Sequence, residues 1–427
     1  MAGRRQPPGG NTAAPAPPPP PPLPSHHHHL LHAAPLRFGA ATARGARPYM
    51  EDRHVVVSPF HVADAPFGGG GGGGEGEEDE DATTPASTAS PQQPHRDYCA
   101  IFDGHSGADA AEHAAARLHG ILARDPALRL CQGSGAVAAT AGEEAPLPGG
   151  DDDDGPATTG SPPSPGIDTD GLGANVTAAL RACFHAVDAE ILARARSSGG
   201  REGATALVAL RLGRDLFTAH AGDARAVLRR AGGVAHRLTT DHKPGDPGER
   251  ARVLAAGGRV EHLGCWRVVS IPADPRRLPA GLAISRSLGD LDFKGEGGPG
   301  STGAGVTADP TVGRVRLGPA DDVLILASDG LWDVLSDQQA CDIAGETIER
   351  VVAERRSGVV AEAEADGLGL GLDEVDDDEG AGPRCVLEAA ASAAARALVA
   401  AALARRSMDN ITALCAVMPW AHGGVES

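Results

Sequence analysis

The chain has 427 residues and a formal net charge of -19, with 58 glycines, 34 prolines and only 3% aromatic residues. That balance argues against a nucleic-acid binder, which needs a basic face with interleaved aromatics, and no apolar run approaches the ~20 residues expected of a membrane span. The negative charge is local: segments 75–81, 151–154 and 373–379 hold 6, 4 and 6 acidic residues, 16 in all, in stretches that read as solvated, self-repelling loops.

In chain order, residues 1–36 form a Pro- and His-rich tail, with runs at Pro17–Pro22 and His26–His29, whose composition predicts disorder. Residues 37–420 read as one domain interrupted by low-complexity inserts near 68–93, 132–170 and 357–383, too poor in large apolar side chains to offset the entropy of ordering. A buried-looking strand ends at Asp103-Gly104 and leads into a helical pattern, and a second helical pattern covers 173–196. The stretch 203–230 reads as consecutive strands of an antiparallel meander, with turns at Gly213 and at Gly222-Asp223. Helical patterns recur at 246–256, 333–345 and 385–405, and another apolar strand precedes Asp329-Gly330. Strands and helices come in clusters without strict alternation. The pattern predicts an α+β fold, a layered α-β-β-α sandwich of two antiparallel sheets flanked by helices.

Three aspartates stand out. Asp103 and Asp329 each end an apolar strand, and Asp409, followed by Asn410, begins one. Carboxylates held at the mouths of rigid strands supply the oxygen ligands that a hard divalent cation takes. An Asp after a strand is also an ordinary turn former or helix cap, and Gly-Asp at 222–223 an ordinary hairpin turn.

The motifs RPYMED (Arg47–Asp52), FDGHSG (102–107), GATA (203–206), AGDARAV (221–227), LAISRSLGD (282–290), ASDGLWD (327–333) and MDNIT (408–412) occur in this order. Together they resemble the metal-dependent serine/threonine protein phosphatases of type 2C. The resemblance implies hydrolysis of phosphoserine and phosphothreonine in protein substrates by a hydroxide bridging two Mn²⁺ or Mg²⁺ ions. Asp103 would bridge the ions, the Gly104 carbonyl would join the first, and Asp329 and Asp409 would hold the second. Glu51 and Asp52 would act through metal-bound waters, Asp223 would serve a weaker third ion, Arg47 would grip the phosphate, and His105 would protonate the leaving oxygen. Asp290 shares the ambiguity of Asp223.

The sequence lacks the His-Cys-x5-Arg loop of cysteine phosphatases and the Gly-Asn-His-Glu motif of the other large serine/threonine phosphatase family. Asp168-Thr-Asp170 mimics an aspartyl-phosphate motif but follows a Ser/Pro stretch and not a strand. Ser106 and Ala224 depart from the resemblance with small residues that are not ligands. The segment 241–280 occupies the place of a substrate-side flap and fits the pattern poorly in its second half. A non-catalytic phosphoprotein-binding module that keeps the fold, or a phosphatase of a small metabolite, are the rival readings. The seven cysteines lack any Cys-x-x-Cys pair, and most lie in apolar stretches, as expected of core residues in a reducing compartment. The N-terminus has no apolar signal core, which points to the cytoplasm or nucleus, with a chloroplast address as the alternative, and a monomer is expected.

Overall fold

The computed structural model describes residues 34–62, 95–130, 171–272, 276, 278–294, 305–357 and 385–422. Residues 1–33, the three acidic tracts, Asp168–Asp170 and Cys131 lie outside them.

The first elements are strands β1 (Arg37–Ala43), β2 (Arg53–Val57), β3 (Arg96–Phe102) and β4 (Gly104–His105) and helices α1 (Asp109–Arg124), α2 (Pro126–Leu130) and α3 (Gly171–Ser198). Strands β5 (Gly203–Ala204), β6 (Ala206–Leu212), β7 (Asp215–Ala221), β8 (Arg225–Arg230) and β9 (Val234–Arg237) come next. Helix α4 (Pro247–Ala255) leads to β10 (Arg259–Leu263), β11 (Cys265–Ser270), β12 (Ala280–Leu282), β13 (Leu288–Gly289), β14 (Thr311–Arg316) and β15 (Asp321–Ala327). Helices α5 (Asp329–Trp332), α6 (Asp337–Arg356) and α7 (Val386–Ala404) and strand β16 (Ile411–Val417) follow.

Two five-stranded sheets, ordered β1-β16-β15-β8-β9 and β14-β7-β6-β3-β2, carry the fold, and every pairing within them is antiparallel. Side chains of a strand alternate between its two faces, so each central strand feeds two apolar layers. Tyr98, Ala100 and Phe102 of β3 pack with α1 and α3, while Cys99 and Ile101 point into the layer between the sheets. In β15, Val323, Ile325 and Ala327 meet α6 and α7, and Leu324 and Leu326 meet the inter-sheet layer. The result is the α-β-β-α sandwich that the clustering of elements predicts.

Helix α7 lies close over β1 because its buried residues are mostly alanines. At Gly39 of β1 a Cβ would come within 2.1 Å of the Ser392 backbone nitrogen, so glycine is what permits that approach. This helix has 19 residues and an 18-residue stretch of mean hydropathy 1.6, but Glu388 and Arg396 interrupt it, so no unbroken apolar run nears ~20 residues. It is the one helix of that length and hydropathy among the described residues, and Leu387, Ala391, Ala394, Leu398 and Ala402 bury it in the core beneath the sheet.

Two local expectations change. The helical pattern at 333–345 divides, because Ser336 and Gln339 form a reciprocal capping box that starts α6 and lets it run to Arg356. The turn at Gly222-Asp223 is no hairpin: β6 pairs with β7, but β8 pairs with β15 in the other sheet. Residues 222–224 therefore cross from one sheet to the other, and Ala224, Ala226 and Leu228 are buried in the layer between them. Among the described cysteines, Cys99, Cys183, Cys341 and Cys415 are buried as expected of core residues, whereas Cys265 is exposed on β11.

Candidate metal centre

The crossover brings Asp223 to the same end of the sandwich as the ends of β3 and β15. One carboxylate oxygen each from Asp103, Asp223 and Asp329 lies within 4.8 Å of the others. Each is placed by its own local rule. Asp103 follows β3, where its N–H donates to Thr205 Oγ1 at 3.2 Å and its carbonyl accepts from the Thr205 N–H at 2.9 Å. Asp329 opens the short helix α5 after Ser328. Asp223 follows Gly222, whose φ of 121° suits glycine, and a Cβ there would meet the Thr205 side chain at 2.6 Å.

Like charges gathered out of water disfavour ionisation. Burial first, then Asp52, Asp329, Asp223 and Asp409, push the Asp103 carboxyl well above the ordinary carboxylate range. Asp329 rises to about 8, through burial and then the charges of Asp223 and Asp333. Asp52 rises to about 6, again chiefly through burial. Ser328 Oγ donates to Asp52 Oδ2 at 2.8 Å, while Asp52 Oδ1 is buried without a hydrogen-bond partner among the described residues.

The other predicted residues surround this cluster. Gly104 on β4 touches the Glu51 backbone, and a Cβ at Gly104 would fall 2.6 Å from the Glu51 carbonyl oxygen. Glu51 is fixed at both ends: its N–H donates to Asn410 Oδ1 and its Oε1 accepts from the Gly107 N–H, each at 2.7 Å. Asp409 stands outside the three-carboxylate cluster and is paired with the half-exposed guanidinium of Arg47. Asn410 ties this rim together, its amide donating to the carbonyls of Arg44 at 2.9 Å and Tyr49 at 3.0 Å. His105 Nε2 lies 2.9 Å from both oxygens of Asp290. Burial alone would lower the His105 pKa, but Asp290 overrides it and the net shift is upward.

Sequence reading assigns no role to Lys243 or Asp333 and leaves that of Asp290 open. Lys243 is bonded to Asp223, and its charge is felt by Asp329 and Asp333. Asp333 is one turn beyond Asp329 and its pKa is raised, by burial first. Asp290, left ambiguous, is the partner of His105, held in a left-handed backbone conformation at φ 54°. The signal for Asp333 was the second acid of ASDGLWD; for Lys243 only proximity in the folded chain identifies it.

A donor set made only of oxygens, crowded with like charge and with an orphaned buried carboxylate oxygen, fits a hard divalent cation. The fold and this centre define a metal-site protein of the α-β-β-α sandwich class. A family model described as protein phosphatase 2C matches residues 166–367. Probable protein phosphatase 2C 8 of Oryza sativa subsp. japonica is 32% identical over 379 residues, covering 88% of this chain and 72% of its own length. Probable protein phosphatase 1N of Mus musculus is 31% identical, over 74% of this chain and 57% of its own. Protein phosphatase 2C 56 of Arabidopsis thaliana is 36% identical, over 55% of this chain and 45% of its own. The chain thus spans about three quarters of the first of these relatives and about half of the other two. The serine-threonine phosphatase 2C of Toxoplasma gondii shares the fold, with a TM-score of 0.59 at 22% identity over 90% of this chain and 95% of its own. The chain belongs to the protein phosphatase 2C family, a family of protein serine/threonine phosphatases.

Proposed function

We propose that this centre hydrolyses phosphoserine and phosphothreonine in proteins with two bound Mn²⁺ or Mg²⁺ ions and a third, weaker position at Asp223. The observation that carries this reading is the convergence of Asp103, Asp223 and Asp329 within 4.8 Å, with the carboxyls of Asp103 and Asp329 pushed far above their ordinary range. Asp103 and the Gly104 carbonyl would hold one ion, and Asp103, Asp329 and Asp409 the other. When bound, the ions supply Lewis-acid charge for the phosphoryl oxygens and a water ionised at neutral pH as nucleophile.

The chain's own residues do the rest. Glu51, clamped between the Gly107 N–H and the Asn410 amide oxygen, and Asp52, anchored by Ser328, present fixed acceptors that orient water. Arg47 is half exposed on the rim, and its planar guanidinium can exchange Asp409 for two phosphoryl oxygens. Hydrolysis breaks the bond between phosphorus and the serine or threonine oxygen, which leaves needing a proton. His105 is placed to give one. The Asp290 carboxylate favours the imidazolium, a doubly protonated ring that keeps one N–H for Asp290 and has a second to donate.

The test is turnover of a phosphothreonine peptide by metal-stripped protein before and after Mn²⁺ is restored, beside Asp103→Asn. Restored turnover in the wild type and none in the variant is the expected result. Undiminished turnover in the variant would move the chemistry elsewhere.

A further inference from the structure

Lys243 is the one cation bonded directly to the three-carboxylate cluster among the described residues. Its position does not depend on its side chain finding Asp223 by chance. The His242 N–H donates to the Gly222 carbonyl at 2.9 Å, and His242 Nδ1 accepts from the Gly222 N–H at 3.2 Å. His242 Nε2 is 2.8 Å from Thr311 Oγ1, and its ring stacks on His220 with centroids 4.4 Å apart and planes 10° off parallel. On the far side, the Lys243 N–H donates to the Asp241 carbonyl at 3.1 Å and the Lys243 carbonyl accepts from the Asp246 N–H at 3.0 Å. Asp246 in turn caps α4. The two residues that flank this pairing, His242 and Gly222, are thus stapled together by backbone and ring, which sets the Lys243 stem beside Asp223.

The side chain of Asp223 is almost wholly buried, while that of Lys243 is 41% exposed. An ammonium so placed can leave toward solvent; the carboxylate cannot follow it. An ammonium on a flexible four-carbon stem is a compact point charge with no fixed coordination geometry, so it can occupy or vacate a cation position at small structural cost. Asp223 is also the carboxylate in the cluster to which the third, weakest metal position was assigned.

We propose that Lys243 is a tethered cation that competes with a divalent ion for Asp223. In metal-free protein the ammonium neutralises part of the acidic cluster. When the position at Asp223 fills, the lysine gives up that carboxylate and turns toward solvent. Lys243 thereby weakens this position relative to the others, and the proposal rests on the reading of Asp223 as a metal ligand.

The measurement is Mn²⁺ binding to the full chain, with free Mn²⁺ counted by electron paramagnetic resonance, alongside thermal unfolding in chelator. Lys243→Met should tighten the weakest class of bound Mn²⁺ about tenfold, the scale expected when one charge beside a partly solvated carboxylate is removed. The same variant should melt several degrees lower in chelator and regain that loss at saturating Mn²⁺. Lys243→Arg, which keeps the charge, should bind like the wild type, and Asp223→Asn should remove the weakest class altogether. If Asp223→Asn removes that class but Lys243→Met leaves its affinity unchanged or weaker, the competition is wrong. If Asp223→Asn leaves Mn²⁺ binding unaltered, Asp223 is no ligand, and the proposal falls with that assignment.

Discussion

Two carboxylate sites in this fold differ in what neutralises them. Glu249 on α4 accepts from Arg286 Nη2 at 2.6 Å, Arg252 Nη2 at 2.7 Å and Ser285 Oγ at 2.6 Å. Burial opposes its charge, but these donors hold the Glu249 carboxyl well below the usual range. Asp103 and Asp329 are shifted the opposite way, and among the described residues Lys243 is the one cation bonded to their cluster, through Asp223. A carboxylate with its own cations is a structural tie between the α4 segment and the strand-rich body. One left without them stores repulsion that an external cation releases.

The contrast breaks most visibly under conservative amide substitutions. Asp103→Asn should cut turnover at saturating Mn²⁺ by about 10³-fold or more while raising metal-free stability by about 1–3 kcal/mol, since it removes a carboxyl that must otherwise be kept protonated. Glu249→Gln should shift stability the other way, lowering it by about 2–3 kcal/mol because two part-buried guanidinium groups lose their carboxylate counter-charge and one of its two acceptor oxygens. Chemical unfolding with and without chelator reads both signs, and like-signed changes would erase the distinction.

His105 gives a smaller effect that depends on the leaving group. His105→Gln should slow a phosphoserine peptide about 10²-fold, and p-nitrophenyl phosphate less, because p-nitrophenolate leaves without a proton. Equal losses on the two substrates would make His105 an orienting residue and not the acid.

The mildest effect is a slope with pH. Asp329 ionises near 3.8 in an unfolded chain and at about 8 in the folded, metal-free protein. Between those values the folded state holds the extra proton, so stability falls as pH rises, and the loss is complete above about 8. The buried neutral rings of His220 and His242, lowered to about 4 and about 2 chiefly by burial, work in the opposite direction below pH 6.5. His105, whose pKa is raised, adds to the fall in stability above pH 6.5, so metal-free unfolding between pH 6.5 and 8 in a His105→Gln background isolates the carboxyl contribution. Asp329→Asn should flatten the slope there, and an unchanged slope would assign it to other groups.

Asp103 and Asp329 were legible because each sits where a strand of apolar residues stops, a pattern contained in a dozen residues of sequence. Asp223 read from its own neighbours only as a turn, and its expected place at a third ion came from the family resemblance alone. Whether a Gly-Asp turn closes a hairpin or crosses between sheets depends on where β8 finds its partner, and that partner, β15, is nearly a hundred residues away. Separation in sequence, by 185 and by 20 residues, also hid the pairs His105–Asp290 and Lys243–Asp223. Arg211 was hidden too, fully buried with Asp97 and the Ala34 and Gly213 carbonyls. A charged residue in a strand reads as surface until its acceptors, brought from other strands, can be counted. The apolar alternation needs no such count, which is why the layered sandwich was foreseeable and its ion pairs were not.

The most direct measurement is a crystal structure of the protein grown with Mn²⁺ and phased to show anomalous scattering from manganese. Two strong peaks sharing Asp103, one beside the Gly104 carbonyl and the other beside Asp329 and Asp409, are the expected result, with a weaker third at Asp223. A map with no peak within bonding distance of Asp103, or with the three carboxylates still drawn together around Lys243 at saturating Mn²⁺, would contradict it.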